Sequence, residues 1–295
     1  MIMPKTLFED VEYKLPNVAK VPLYSPFRYP GGKSRWYFYV KQWVLQTQPS
    51  TFVEPFAGGA HAGLAVAFEE WAHRIVEDIV LVELDSNVSA VWKTIFSDEV
   101  EWLLDRIRSF EMSRSAAEEA IAAKEESVRA RAFAMIVHNR VSRGGITAPG
   151  AGWVKKGENG QGLSSRWYAK TLVERIETIA KARERITFIS GDAFDVLPSY
   201  CDSDTALFLD PPYPKAGGRL YKHSDINHER LFQIASETNG PVLLTYDNSD
   251  HVQALVDQYE FESEELTVST THHTRKTELI IGEDLNWLRS MNPSI

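Results

Sequence analysis

Cysteine is almost missing from this chain: Cys201 is the only one among 295 residues. A single thiol excludes an internal disulfide framework and any metal site that is built from several cysteines. Long apolar runs are missing from the amino-terminal residues, so we expect neither a signal peptide nor a membrane span. Together these absences are typical of a protein of the reducing cytoplasm.

Positive charge is also scarce overall, because the formal net charge of the chain is −9. Taken alone, this acidic balance argues against a nucleic-acid partner. The segment 128–170 departs from it, with eight basic residues against one acid, Glu158, and with Trp153, Trp167 and Tyr168 among them. A basic, aromatic segment is typical of an element that contacts nucleic acid, although a solvated helix face followed by a loop would show the same composition.

Two glycine-rich stretches lack the complete patterns of nucleotide-binding loops. Residues 31–34, Gly-Gly-Lys-Ser, miss the first glycine of a phosphate-binding loop. Residues 54–60, Glu-Pro-Phe-Ala-Gly-Gly-Ala, follow a predicted strand over 51–53 and precede a predicted helix, but without the GxGxxG spacing. The order of strand, glycine turn and helix is still that of the first unit of a nucleotide-binding α/β sheet. Either stretch could also be a tight turn that binds no ligand.

Acidic residues end or follow the next two predicted strands. Glu83 and Asp85 end a strand over 80–85, at the position where a carboxylate binds ribose hydroxyls in nucleotide-binding sheets. One of the two would do so and the other would cap the following helix, and the pattern leaves open which. Asp192 follows a strand over 186–189 and would accept a hydrogen bond from an adenine amino group, unless it caps the short helix that begins there.

The most distinctive stretch is Asp210-Pro211-Pro212-Tyr213, which follows an apolar strand over 206–209. The prolines fix the backbone and remove two amide donors, and a residue before proline stays extended. The Asp210 carboxylate and the Pro211 carbonyl therefore offer only acceptors, beside the flat face of the Tyr213 ring. This cup suits a planar group that carries an NH2, although a proline-rich turn is the simpler interpretation of the four residues alone.

Alternating strands and helices predict an α/β fold with a doubly wound, mostly parallel, Rossmann-like sheet. Two final strands, over 261–270 and 278–282, predict an antiparallel hairpin at one edge of this sheet. His272 and His273 lie between these strands without a third ligand at a suitable spacing, so we expect no metal.

Motifs in a fixed order resemble those of the Dam-like DNA adenine-N6 methyltransferases, which have a DPPY motif and use S-adenosylmethionine. They are YPGGK at 29–33, FVEPFAGGA at 52–60, VELD at 82–85, GDAF at 191–194 and LDPPY at 209–213. The resemblance extends over residues 25–282. It implies a methyltransferase catalytic domain formed by residues 1–96 and 186–295, and a helical DNA-recognition insert at 97–185.

The resemblance implies methyl transfer from S-adenosylmethionine to the exocyclic amino group of an adenine that is flipped out of duplex DNA. The catalytic residues would be Asp210, Pro211, Pro212 and Tyr213. The cofactor would be contacted by Tyr29, Gly32, Lys33, Glu54, Phe56, Gly58, Gly59, Glu83, Asp192, Ala193, Phe194 and Asp210. DNA would be contacted by Arg28, Asn139, Arg140, Arg143, Lys155 and Lys156. The stretch from Arg143 to Gly162 does not follow the members that read GATC, so no recognition sequence is predicted.

Double-stranded DNA is thus the expected partner of a monomer or weak dimer in the cytoplasm of a bacterial or phage-infected cell, with no membrane contact. Whether a cognate restriction endonuclease accompanies the chain is left open. Alternatives on the same fold are transfer to cytosine amino groups, to RNA adenine or to a protein glutamine amide, and a catalytically inactive DNA-binding relative. A nicotinamide-dependent oxidoreductase is disfavoured by the glycine spacing.

Overall fold

One sheet organises the part of the chain that the structure, a computed structural model, describes: residues 21–28, 36–148, 150–157, 160–214, 225–269 and 275–291. Its strands are β1 (Thr51–Glu54), β2 (Asp78–Glu83), β3 (Ile186–Ser190), β4 (Thr205–Leu209), β5 (Val242–Asp247), β6 (Glu262–Ser269) and β7 (Arg275–Gly282). Their order across the sheet is β3-β2-β1-β4-β5-β7-β6. Strands β1 to β5 pair in parallel, whereas β7 is antiparallel to both β5 and β6. This arrangement confirms the predicted fold class, a doubly wound, mostly parallel, Rossmann-like sheet with a C-terminal antiparallel hairpin.

The central strands are buried on both faces, which explains why they are apolar along nearly their whole length. Successive side chains of a strand point to opposite faces. Phe52 and Phe208 therefore belong to one hydrophobic core, while their neighbours Val53 and Leu207 belong to the other.

The helices are α1 (Tyr37–Thr47), α2 (His61–Phe68), α3 (Ser86–Ile95), α4 (Val100–Ser109), α5 (Arg114–Ala122), α6 (Val128–Val141), α7 (Ala169–Lys181), α8 (Ala193–Val196), α9 (His228–Glu237), α10 (Asp250–Gln258) and α11 (Asn286–Met291). Several begin at a side-chain cap, as α5 does at Ser113 and α6 at Ser127, because the hydroxyl accepts a bond from a backbone N–H of the first turn. No helix in the described part of the chain is long and apolar enough to cross a membrane.

The helices cover both faces of the sheet. Leu231 and Phe232 of α9 pack in the same core as Val53. On the opposite face, Ile136 of α6 and Ile176 of α7 belong to the buried cluster that contains Phe52. Helices α4 to α7 occupy the predicted insert between β2 and β3, and their core is continuous with that of the sheet. The division of the chain into two domains stays a prediction.

The carboxyl ends of the parallel strands meet at one edge of the sheet. The chain order reverses between β1 and β4, which are neighbours in the sheet. Open α/β sheets bind ligands in the crevice at such a reversal. Glu54, Glu83, Asp192 and Asp210 all end or follow strands at this edge, so the fold places the predicted acidic residues on the same side of the molecule.

Candidate active site

The turn after β1 is a tight backbone feature held by its neighbours. Gly58 and Ala60 adopt positive φ angles of 48° and 50°, and the Ala57 N–H donates to the Val82 carbonyl at 2.9 Å. Gly59 also lies in a crowded place, because an added Cβ would come within 2.8 Å of the His61 ring. Both glycines therefore belong to a tight turn, and the predicted approach of a ligand to it stays a prediction.

Glu54 is buried and faces the helix that follows the turn. Its Oε2 accepts a hydrogen bond from the Gly63 N–H of α2 at 2.7 Å. A side chain at position 63 would force its neighbours to move, since a Cβ added to Gly63 would lie 2.6 Å from the Leu81 side chain. The Glu54 carboxylate thus fixes α2 against the end of β1, and its predicted cofactor contact stays a prediction.

Glu83 and Asp85 have different partners, which shows that Asp85 is the acid that caps α3, while ribose binding by Glu83 stays a prediction. Asp85 Oδ1 accepts from the Asn87 N–H at 2.8 Å and caps α3. Glu83 Oε2 instead accepts from the Gly58 N–H at 2.8 Å, and its Oε1 accepts from the Asp85 N–H at 2.6 Å. Burial raises the pKa of Glu83 to about 7, against the opposing effect of these two N–H donors. The half-buried Glu83 carboxylate is therefore the one that faces the glycine turn.

Two further hydrogen bonds connect the end of β2 and the glycine turn after β1 to neighbouring elements. The Gly191 N–H donates to the Glu83 carbonyl at 3.1 Å, which places the turn after β3 next to the end of β2. The Trp92 Nε1–H of α3 donates to the Gly58 carbonyl at 3.0 Å. Gly58 therefore has both backbone groups bonded, one to Glu83 and one to Trp92, and its position is fixed without a ligand.

The turn after β3 brings together predicted cofactor residues from two strands. Asp192 Oδ1 accepts from the Phe194 N–H at 2.9 Å and caps α8, which is the alternative role that the sequence allowed. Ala193 is buried, and the Phe194 ring meets the Phe56 ring edge-on at a centroid distance of 6.5 Å. The guanidinium of Arg230 lies 5.6 Å from the Phe194 ring. Arg230 was not predicted, because nothing near it in sequence points to this edge.

Asp210 and Tyr213 of the predicted cup are supported by the neighbouring strand β5. Asp210 Oδ1 accepts a hydrogen bond from the Thr245 hydroxyl at 2.8 Å. The Tyr213 ring stacks on Tyr246 with centroids 5.8 Å apart and an interplanar angle of 26°. The Tyr246 hydroxyl in turn lies 3.0 Å from His228 Nδ1. Burial raises the pKa of Tyr246 well above its ordinary value, so its phenol stays neutral.

Asn139 and Arg140 face inward, unlike the exposed positions that we expected for residues that contact DNA. Asn139 is 1% exposed and bonds to the backbone of Arg28, and Arg140 is 5% exposed. Arg140 Nη2 donates to the Pro26 carbonyl at 2.7 Å, and burial lowers the pKa of its guanidinium to about 9. These two side chains hold the segment 25–28 against the insert, so direct DNA contact by them is corrected to a supporting position.

Arg143, Lys155 and Lys156 do lie on the surface, as predicted. The loop that carries them is closed by backbone bonds, from the Arg143 N–H to the Gly152 carbonyl at 3.0 Å and from the Val154 N–H to the Val141 carbonyl at 2.8 Å. Their contact with DNA stays a prediction. The other basic residues of the segment include members of surface ion pairs with acids: Arg129 with Glu99, Arg131 with Glu125 and Lys170 with Glu174.

Some predicted residues cannot be placed. Tyr29, Gly32 and Lys33 lie outside the described residues, and so do His272 and His273. Within the described ranges, no group of three or more His, Cys, Asp or Glu side chains is arranged to hold a metal ion.

No protein-family model matches the sequence, and no curated protein matches it. Solved structures match it only at low similarity. An O-methyltransferase from Bacillus cereus, in complex with SAH, is 12% identical with a TM-score of 0.37, over 90% of this chain and 84% of that one. The O-methyltransferase TomG from Streptomyces achromogenes, in complex with SAM, is 12% identical with a TM-score of 0.36, over 84% of this chain and 79% of that one. Likenesses at this level say nothing of what this chain acts on.

Proposed function

We propose that this chain is an S-adenosylmethionine-dependent DNA methyltransferase that acts on the exocyclic amino group of adenine. The observation that carries the proposal is the position of Asp210. Its carboxylate is held by Thr245 at the carboxyl end of β4, and β4 is the neighbour of β1, whose glycine turn is held by Glu83. A site for an amine and a site for a nucleoside cofactor would therefore lie side by side at the reversal of strand order.

The residues at the glycine turn fit the proposed cofactor. Gly58 carries no side chain at the turn, which would let a ligand approach its backbone closely. Glu83 offers carboxylate oxygens for ribose hydroxyls, and each oxygen keeps acceptor capacity beyond its one backbone N–H. Bound there, S-adenosylmethionine would supply an electrophilic methyl group on its sulfonium.

The residues of the cup would handle the amino group. The Asp210 carboxylate and the Pro211 carbonyl accept its two hydrogens, which makes the nitrogen lone pair more available for attack. The Tyr213 ring would stack on the base. As the new N–CH3 bond forms, the S–CH3 bond of the sulfonium would break and S-adenosylhomocysteine would leave, and Asp210 would receive the proton that the nitrogen releases. Fixed acceptors and correct orientation supply most of the rate in such a site, and no covalent intermediate with Cys201 is required.

A direct test is to incubate the purified chain with methyl-labelled S-adenosylmethionine and unmethylated duplex DNA. After digestion to nucleosides, mass spectrometry should find N6-methyldeoxyadenosine. Detection of N4-methylcytosine, or of label in RNA adenine only, would support a methyltransferase activity but would contradict DNA adenine as the acceptor. No label in any nucleic acid, from a folded chain, would overturn the proposal.

The matched variants for this test are Asp210→Ala and Asp202→Ala. Asp210→Ala removes the carboxylate of the cup and should abolish transfer, with the chain still folded. Asp202 is an exposed acid before β4, so Asp202→Ala makes the same change of charge away from the carboxyl edge and should keep full activity. Expression of the wild-type chain in a host without DNA methylation, followed by direct sequencing of modified bases, would give the recognition sequence.

A further inference from the structure

Thr245 is a buried hydroxyl at the end of β5 that bonds to the proposed catalytic carboxylate. Its side chain is 0% exposed, and its hydroxyl donates to Asp210 Oδ1 at 2.8 Å. The strand register explains this meeting, because Leu209 of β4 pairs with Leu244 of β5 in parallel. The next residues along the chain, Asp210 and Thr245, therefore lie side by side where β4 ends, while β5 continues to Asp247.

We infer that Thr245 is a positioning residue for the proposed methyl transfer: its hydroxyl fixes the rotation of the Asp210 carboxylate so that Oδ2 faces the target amine. This inference rests on the proposed function and names a residue that the cup requires. A carboxylate rotates through a broad, roughly two-fold range about its χ2 angle when nothing holds it. The hydrogen bond to Oδ1 favours one plane of the carboxylate, and each carboxylate oxygen can accept more than one hydrogen bond.

The residue after Thr245 supports the other half of the cup. Tyr246 is 0% exposed, stacks on the Tyr213 ring at 5.8 Å, and has its hydroxyl 3.0 Å from His228 Nδ1. The end of β5 therefore contacts both the acceptor and the stacking ring of the proposed site. Support of both groups by one rigid strand is what a site needs when its rate depends on orientation.

The variants that test the role of Thr245 are Thr245→Val and Thr245→Ser. Valine keeps the shape of threonine and removes the hydroxyl, whereas serine keeps the hydroxyl and removes one methyl group. For Thr245→Val, we expect kcat for methyl transfer to fall by about 10- to 100-fold, because the carboxylate loses its fixed orientation. The KM for S-adenosylmethionine should stay within about twofold of the wild-type value, since this change leaves the glycine turn intact and Asp210 keeps its carboxylate. Thr245→Ser should keep most of the wild-type kcat.

Thr94→Val is the matched control. Thr94 is 1% exposed on α3, and its hydroxyl donates to the Ala90 carbonyl of its own helix at 2.8 Å. This variant removes a buried threonine hydroxyl away from the cup and should leave kcat unchanged. A purely structural role of Thr245 predicts that both valine variants alter the melting temperature while neither alters kcat.

The outcomes separate the inference from the proposed function. An active wild type with a 10- to 100-fold loss in Thr245→Val and recovery in Thr245→Ser supports the positioning role. An active wild type and an equally active, folded Thr245→Val overturns that role and leaves the proposed function standing. A folded wild type that transfers no methyl group to DNA or RNA overturns the proposed function, and the inference with it.

Discussion

The side-chain amide of Asn139 pairs with both backbone groups of Arg28: its Oδ1 accepts from the Arg28 N–H and its Nδ2 donates to the Arg28 carbonyl, each at 2.8 Å. The same Nδ2 donates to the Gly145 carbonyl at 2.9 Å. Asn139 thus joins helix α6 to the segment 25–28. That segment also reaches the glycine turn, because the Phe27 ring packs edge-on against Trp92 at 5.8 Å, and Trp92 bonds to Gly58.

Asn139→Ala should therefore destabilise the protein, although its position was predicted to contact DNA. The variant leaves the N–H and carbonyl of Arg28 and the carbonyl of Gly145 without their partner in a buried place. Each buried backbone group that is left without a hydrogen bond lowers the free energy of unfolding by about 1–3 kcal/mol. Partial access of water to these groups would reduce the total loss. We expect the free energy of unfolding to fall by about 2–4 kcal/mol, measured by urea denaturation.

Asn239→Ala is the control for this change. Asn239 is exposed, and its backbone N–H, which the substitution keeps, donates to the Cys201 carbonyl. Its replacement should change stability by less than about 0.5 kcal/mol. Equal stability of the Asn139 and Asn239 variants would contradict the anchoring role of Asn139.

Gly145 is the second residue that holds the segment 25–28 in place, because its backbone packs closely against the backbone of Arg28. Its φ is +77°, and an added Cβ would lie 1.8 Å from the Arg28 carbonyl oxygen. Gly145→Ala should therefore displace the segment and destabilise the protein far more than Gly150→Ala. Gly150 has a φ of +86° with no atom within 4 Å of an added Cβ, so its replacement introduces only backbone strain of about 1–2 kcal/mol. Urea denaturation of both variants measures the difference, and equal losses would contradict the close contact.

Much of the fold could be predicted from the sequence because its signals are local. The apolar runs of β4 and β5 predict buried parallel strands, and the spacing of strands and helices predicts how they alternate. Asp210-Pro211-Pro212 fixes its own backbone whatever surrounds it. These features depend on residues that are neighbours in the chain.

The direction of a side chain depends on distant residues, and there the sequence was less informative. Arg140 was predicted to contact DNA because of its position in the resemblance, but it is buried against the segment 25–28, more than 100 positions away in sequence. Thr245 could not be connected with Asp210 until the register of β4 and β5 was known. Glu83 and Asp85 both carry a carboxylate, so the sequence does not tell which of them caps α3. Their hydrogen bonds do, because Glu83 accepts from the Gly58 N–H and Asp85 accepts from the Asn87 N–H.

Binding of S-adenosylmethionine should depend on pH through Glu83, whose pKa burial raises to about 7. Ribose hydroxyls donate to a carboxylate, so the ionised form of Glu83 should bind the cofactor more tightly than the protonated form. Affinity should then rise with pH up to about 7 and level off above it, with a slope that approaches one proton per site on the acidic side. Isothermal titration calorimetry between pH 5.5 and 8.5, at about half-unit steps, would measure this.

Glu83→Gln provides the comparison, because its amide does not titrate. The variant should bind more weakly at neutral pH and should lose this part of the pH dependence. Any titration of the cofactor itself affects the pH profiles of affinity for both proteins equally. The difference between the two profiles is therefore caused by the titration of Glu83. Parallel profiles for the wild type and the variant would show that Glu83 does not bind the ribose.

DNA binding should depend on Arg143, Lys155 and Lys156, which are exposed and lie at the base of one closed loop. Each phosphate contact releases counterions, so the logarithm of affinity falls with the logarithm of salt concentration by about 0.9 per contact. Replacement of all three by alanine should weaken binding at low salt and reduce this slope by about 2–3. Fluorescence anisotropy of a labelled duplex across a salt series measures both effects.

A second triple variant, with alanine at Arg129, Arg131 and Lys170, controls for net charge. It removes an equal number of positive charges, three, from the same segment. These three side chains, however, are paired with acids in the free protein. Because a paired cation is already partly neutralised, this variant should leave the salt slope close to that of the wild type. If both triple variants lowered the slope equally, the overall charge of the insert would account for binding, and the loop would not be a specific DNA contact.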